Sequence, residues 1–330
     1  MILNLLAVVC SFILSLILMP LIIRFFRARN ASQTILGYVE NHKSKNGTLT
    51  MGGVVFMLTT LLLAFFFLDF NYTWLVVLLV SVFYGVLGLM DDYLKIKFKQ
   101  NLGLRAYQKI IGQVGISIIF ALFVYFSTFG KVFLPFSDRT INLGFWIVPI
   151  IVLVLVATTN SVNLTDGLDG LAGNVSSVYL IFFFIIVLIL QDKLYLSGET
   201  GHLIQNLKDI NVLTMLFIGA IQGFLMFNTH KASIFMGDAG SLCLGGFIGA
   251  SSCFLGLELI LPILGFCFVF SSVSVILQVA FFKLKRKRIF KMAPFHHHLQ
   301  MSGLHEAKIV AIYSTTTAII GVVTVIFYLL

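Results

Sequence analysis

Charge is what this sequence has least of. Of its 330 residues, 22 are Lys or Arg and 13 are Asp or Glu, 11% together, where a soluble domain carries about 25%. So few charges could not cover a soluble globule of this length, and the composition also excludes a disordered tail, a coiled coil and a collagen-like rod. Cysteine is scarce too. Cys10, Cys243, Cys253 and Cys267 each lie in an apolar run without CxxC or Cys/His spacing, so they read as small packing residues, neither a disulfide framework nor a zinc site. No basic segment precedes the first apolar stretch; Arg24, Arg27 and Arg29 follow it. That order predicts a first spanning helix, not a cleaved signal peptide. Internal repeats and low-complexity segments are absent from the sequence.

What fills the chain is apolar residues, 59% of the total. They predict an all-α, polytopic integral membrane protein, read as a single domain over 1–330, with ten transmembrane helices. The expected spans are Ile2–Ile23, Met51–Leu68, Trp74–Met90, Ile110–Phe129, Leu143–Thr159, Leu171–Leu190, Asn211–Phe227, Leu242–Leu257, Leu259–Phe282 and Ile309–Leu329. Each approaches the roughly 20 residues that cross a hydrocarbon core. Pro262 predicts a tilt or break in the ninth.

Loops after odd-numbered spans hold 18 of the 22 basic residues. The positive-inside rule therefore places those loops in the cytoplasm and both termini outside. The basic inner face attracts anionic lipid headgroups and polyanionic solutes. Because the basic residues border spans, the partner they indicate is the bilayer and not nucleic acid. No Asp, Glu, Lys, Arg or His falls inside a span as drawn, which argues against a charge-coupled transporter.

The unusual residues collect in the inner loops. Asp91-Asp92 closes the third span, with Lys95 at i,i+4 from Asp91 should the helix continue one more turn. The other stretches are Thr48-Leu49-Thr50-Met51-Gly52-Gly53, Asn160 through Gly170, Asn228 through Ser241, and Ala293-Pro294-Phe295-His296-His297-His298. Each has a bland reading: a solvated helix end, an Asp-Gly turn, a helix cap, a positive-inside anchor, a surface histidine run. A zinc site in the histidine run is disfavoured, because adjacent side chains diverge and no thiol assists. The stronger signal is that all of them share one face. Asp91, Asp92, Asp166, Asp169 and Asp238 are hard oxygen ligands suited to Mg²⁺. Lysines, histidines and glycine-flanked loops can hold phosphates. Together they suggest phosphoryl transfer at the cytoplasmic membrane surface.

The set Asp91-Asp92-Tyr93-Leu94-Lys95, Asn163 through Gly170, Phe235-Met236-Gly237-Asp238 and Ala293 through His298 resembles the phospho-N-acetylmuramoyl-pentapeptide transferase family. This family lies within the polyprenyl-phosphate N-acetylhexosamine-1-phosphate transferases. The Ala-Pro-x-His-His-His element favours the muramoyl-pentapeptide branch over the amino-sugar siblings. The resemblance implies a bacterial cytoplasmic-membrane enzyme that is multi-pass and homodimeric, with its active site facing the cytoplasm. It would join UDP-MurNAc-pentapeptide to undecaprenyl phosphate with Mg²⁺, giving lipid I and UMP. It further implies that Asp238 ligates the metal, and that Asp91 acts as base, nucleophile or positioning group. Asp92 would support metal or phosphates, and Lys95 would contact phosphate. Asp166, Asp169 and Phe235 would hold the uridine, while Asn160, Asn163 and Asn228 line the cleft. His296, His297 and His298 would touch the donor's diphosphate or sugar, and Lys43, Thr48 and Thr50 join the substrate-binding set. Two departures stand out: Ala239 where a larger aliphatic residue is expected, and the stretch from Gln300 to His305. A sibling amino-sugar-1-phosphate transferase and a transporter remain the alternatives.

Overall fold

A computed structural model describes residues 2–29, 47–98, 100, 102–128, 130–135, 139–198 and 201–329. Lys43 lies outside them. The described chain is almost wholly helical: α1 Ile2–Ala28, α2 Val54–Phe67, α3 Tyr72–Lys97, α4 Ala106–Thr128, α5 Ile147–Thr165, α6 Leu171–Leu196, α7 His202–Asn228, α8 Gly237–Phe254, α9 Leu261–Leu264, α10 Phe266–Lys285, α11 Phe295–Gln300 and α12 Glu306–Leu329. A small hairpin, β1 Lys131–Phe133 with β2 Thr140–Asn142, joins α4 to α5. It is antiparallel, with Val132 opposite Ile141, and Phe133 N–H donates to the Gly256 carbonyl at 2.8 Å. Strands of three residues are too short to show a periodicity in the sequence.

Among the described residues, eight helices are long and apolar enough to cross a membrane: α1, α3 to α7, α10 and α12, with α5 counted from Gly144. This is a multi-pass membrane protein. Two of the ten expected spans fall short of that length or apolarity. α2 has 14 residues, because Gly52 and Gly53 N–H are drawn aside to the carbonyls of Phe235 and Met236. α8 is rich in Gly and Ser and is buried along nearly its whole length; it is solvated by protein, so it has no need of a lipid-facing surface. The ninth expected span is divided, as Pro262 suggested. Pro262 opens the single turn α9, and α10 starts afresh after Gly265.

The bundle is layered by burial. α7 is 83% buried over its apolar window, against 28% for α1, α4 and α12 and 22% for α10. Close packing at the centre rests on small residues, which let helix backbones approach in a lipid environment. Gly219 and Gly223 of α7 face Ser11 and Ser15 of α1, and the Ser15 hydroxyl donates to the Ala220 carbonyl at 3.0 Å. α3 meets α8 in the same way, where the Ser81 hydroxyl donates to the Cys243 carbonyl at 2.8 Å.

Candidate active site

α3 runs about two turns past its expected end at Met90, to Lys97, and carries Asp91, Asp92 and Lys95 there. Both aspartates are 3% exposed. Their neighbour across the helix pair is Asp238, in the first turn of α8, where a negative charge is favoured by the helix dipole. Gly88, one turn before Asp92, lies against the Asp238 backbone so closely that a Cβ there would collide with it. Gly237 sits at φ +74°, and a Cβ on it would meet Thr50 Oγ1 at 2.9 Å as well as the Asp92 carboxylate. Only glycine meets both the left-handed backbone and the lack of space. Asp92 Oδ2 accepts from Ala239 N–H at 3.1 Å, so α3 caps the start of α8.

The three carboxylates of Asp91, Asp92 and Asp238 offer oxygens within 4.8 Å of one another. Lys95 Nζ lies 2.6 Å from Asp91 Oδ2, 3.5 Å from Asp92 Oδ1 and 3.1 Å from Asp238 Oδ2. Its ammonium stands in for a cation at the point where they converge. A donor set made wholly of carboxylate oxygens fits a hard divalent ion. Asp238 is held further: Lys109 Nζ is 2.6 Å from its Oδ2, and Asn163 Nδ2 donates to its Oδ1 at 2.8 Å. Burial alone would raise the Asp238 carboxyl, but the charges of Lys109 and Lys95 outweigh it and hold the group well below the ordinary carboxylate range. Asp91 Oδ1 accepts from Leu104 N–H at 2.8 Å, so both of its oxygens are engaged.

The second end of the cleft is the turn between α5 and α6. Asn228 clamps it: Oδ1 accepts from Gly170 N–H at 3.0 Å, and Nδ2 donates to the Ile234 carbonyl at 2.8 Å. Asp169 Oδ2 accepts from Ala232 N–H at 3.2 Å. Asp166 follows the last turn of α5. Burial, then repulsion from Asp238, Asp92 and Asp169, pushes its carboxyl up to about 8. Gly167 faces His296 and His297; a Cβ there would lie 3.0 Å from His297 Nε2 and nearer still to His296. His296 is fully buried. Burial and the neighbouring His297 hold it well below the ordinary histidine range, so it is a neutral imidazole at neutral pH.

Thr48 and Thr50 flank Leu49, which pairs with Ile234 in an isolated parallel bridge. Phe235 is half-buried, and its N–H donates to the Leu49 carbonyl at 2.7 Å. Asn160 Nδ2 reaches Gln113 Oε1 on α4 at 2.7 Å. His298 is set apart from its two neighbours: it packs on Phe290 and Phe295, and its Nδ1 accepts from Lys291 N–H at 3.1 Å. The sequence reading missed Lys109 by counting it only as a positive-inside anchor. The available signal was its position four residues before Gln113, on one face of an otherwise apolar helix.

A profile of glycosyl transferase family 4 matches residues 74–256, which contain Asp91, Asp92, Lys95, Lys109 and Asp238. The class is thus a family 4 glycosyl transferase. Proteins named phospho-N-acetylmuramoyl-pentapeptide-transferase match almost end to end. The one from Clostridium novyi (strain NT) is 40% identical over 318 residues, covering 95% of this chain and 93% of the relative. That from Thermoanaerobacter sp. (strain X514) is 40% identical over 315 residues, 95% of each chain. That from Clostridioides difficile (strain 630) is 37% identical over 319 residues, 96% and 95% respectively. This chain belongs to the phospho-N-acetylmuramoyl-pentapeptide transferase family.

Proposed function

We propose that the protein transfers phospho-MurNAc-pentapeptide from UDP-MurNAc-pentapeptide to undecaprenyl phosphate, giving lipid I and UMP. The observation that carries the reading is the meeting of Asp91, Asp92 and Asp238 with Lys95 and Lys109 where α3, α4 and α8 come together. Mg²⁺ is the ion this donor set suits, held by Asp238 with support from Asp92, and there it would offset charge on the donor's diphosphate. Lys95 and Lys109 neutralise the same phosphates. Asn163 holds Asp238 in position. Asp166, Asp169 and Phe235 hold the uridine, with Asn228 and Asn160 shaping the cleft, and Thr48 and Thr50 border it. His296 and His297 face the diphosphate or sugar.

The acceptor phosphate has a second pKa of about 6 if it behaves as other phosphomonoesters do, so it arrives largely ionised at neutral pH. One of its oxygens attacks the sugar-linked phosphorus, and the bond to UMP breaks. Asp91 has little proton to remove, and both its oxygens are already in use. Its part is to position Lys95 and the α3–α4 connection.

The bundle is read as a single transferase domain in the bacterial cytoplasmic membrane. It crosses ten times, α2 and α8 included, with both termini outside and the cleft facing the cytoplasm. The 18 basic residues on that side support this orientation. The functional unit is a homodimer. The test is to mix purified protein with UDP-MurNAc-pentapeptide, undecaprenyl phosphate and Mg²⁺ and to measure UMP. Release that EDTA abolishes and UDP-N-acetylglucosamine cannot replace is expected. Equal turnover of the amino-sugar donor overturns the substrate assignment.

A further inference from the structure

Among the described residues, a second group of three metal-competent side chains lies outside the carboxylate centre: Asp169, His230 and Glu306, with ligand atoms within 4.8 Å of one another. They come from three separate places, the α5–α6 turn, the segment after α7 and the first residue of α12. We infer that Asp169, His230 and Glu306 form a second divalent-metal site, one that takes Zn²⁺ or a similar borderline ion.

The donor set decides the class. An imidazole with two carboxylates suits Zn²⁺, whereas Mg²⁺ prefers oxygen alone. Tetrahedral zinc with bonds of about 2.0–2.1 Å needs ligand atoms roughly 3.3 Å apart, so small side-chain adjustments close the site. The two carboxylates and a neutral imidazole also match the ion's charge. Each carboxylate is oriented from outside the group, as metal ligands commonly are. Ala232 N–H donates to Asp169 Oδ2 at 3.2 Å, and Gln300 Nε2 donates to Glu306 Oε1 at 3.2 Å. Gln300 also hydrogen-bonds His297 Nδ1, which links the group to the histidine run. His305 lies beside His230, with ring centroids 4.9 Å apart. Its Nδ1 accepts from Ala307 N–H, leaving Nε2 as the nitrogen suited to a fourth ligand. Asp169 is buried while His230 is exposed, so the site has an open side for the ion to enter. Zinc here would pin the start of α12 to the α5–α6 turn. On the reading that Asp169 holds the uridine, zinc would also compete with the donor.

The experiment uses the purified full chain in excess Mg²⁺ with Zn²⁺ alone as probe and no donor, so its outcome is independent of the substrate assignment. Equilibrium dialysis should show one zinc per chain bound at micromolar concentration or tighter. X-ray absorption should place at least one imidazole and only nitrogen or oxygen around it. His230→Ala and Glu306→Gln should each weaken binding tenfold or more, while His298→Ala leaves it unchanged. A zinc shell without imidazole overturns the inference, and so does wild-type affinity in folded His230→Ala. The wild-type absorption measurement decides the matter even where a variant fails to fold.

Discussion

The two ends of the cleft use the same residue type in opposite ways. At the α3–α8 end, Asp238 is surrounded by cations and held ionised. At the α5–α6 turn, Asp166 has no lysine among the groups that shift it, and burial together with three carboxylates pushes it up to about 8. Identical side chains thus become, at neutral pH, an anion at one end and a neutral hydrogen-bond donor at the other. The difference follows from which helices arrive. α3 and α4 bring Lys95 and Lys109 to the first end, whereas the histidine-bearing α11 brings buried, uncharged His296 to the second. An ionised Asp238 suits a metal and phosphates, and a neutral Asp166 suits a base and sugar.

The most severe way to break the contrast is to discharge its anionic end. Asp238→Asn keeps the shape but leaves Lys95 and Lys109 without their shared partner. UMP release should fall at least about 10³-fold, the upper range for loss of one charge-stabilising group. Added Mg²⁺ should not restore it, and a thermal-unfolding scan should show a folded protein. Full Mg²⁺-dependent turnover would disprove the metal assignment.

A milder perturbation removes one cation. Lys109→Ala should cost roughly 10–10²-fold in turnover. Lys109 is the first of the charges that lower the Asp238 carboxyl. Without it that carboxyl rises only toward the ordinary carboxylate range, because Lys95 still lowers it. The acceptor's own ionisation near about 6 therefore keeps setting the acid limb of the rate profile, so turnover should fall across the whole profile with the limb in place. Lys109→Arg should recover most of the loss, and wild-type turnover in folded Lys109→Ala would remove Lys109 from the charge network.

Lys109 also shows where reading the sequence stops. The apolar runs predicted the helices, and the i,i+4 spacing of Asp91 and Lys95 predicted their ion pair, now seen at 2.6 Å, because both depend on local geometry. The loop pattern also pointed to a meeting of Asp91, Asp92 and Asp238, whose oxygens lie within 4.8 Å of one another. What could not be read is pairing across helices. Lys109 lies 129 positions before the aspartate it contacts, and nothing local separates it from an anchor lysine. The close approach of Gly88 to Asp238 is likewise a property of two helices at once. Hydropathy also overstated how far α8 faces lipid, since transfer scales score burial in protein and burial in lipid alike. The division at Gly265 was anticipated only as far as Pro262 could signal it.

The smallest expected effect tests the neutral end. If Asp166 works as a protonated donor, Asp166→Asn retains the donor and removes the proton that can be lost. At pH 7 its KM for UDP-MurNAc-pentapeptide should stay within about threefold of wild type, since a neutral hydrogen bond contributes only about 0.5–1.5 kcal/mol and is here replaced, not deleted. The separation appears at higher pH. Wild-type affinity should weaken as Asp166 ionises near 8, whereas the asparagine variant should hold its affinity through that range. Stability runs in the same direction. A carboxyl whose pKa is raised from 3.8 to about 8 on folding opposes the fold progressively as pH rises across that interval. Wild type should therefore lose melting temperature between pH 5 and about 8 relative to Asp166→Asn, and the two curves should run parallel above it. Parallel curves throughout, with equal alkaline loss of affinity, would mean that Asp166 is ionised like Asp238 and that the two ends do not differ in charge state.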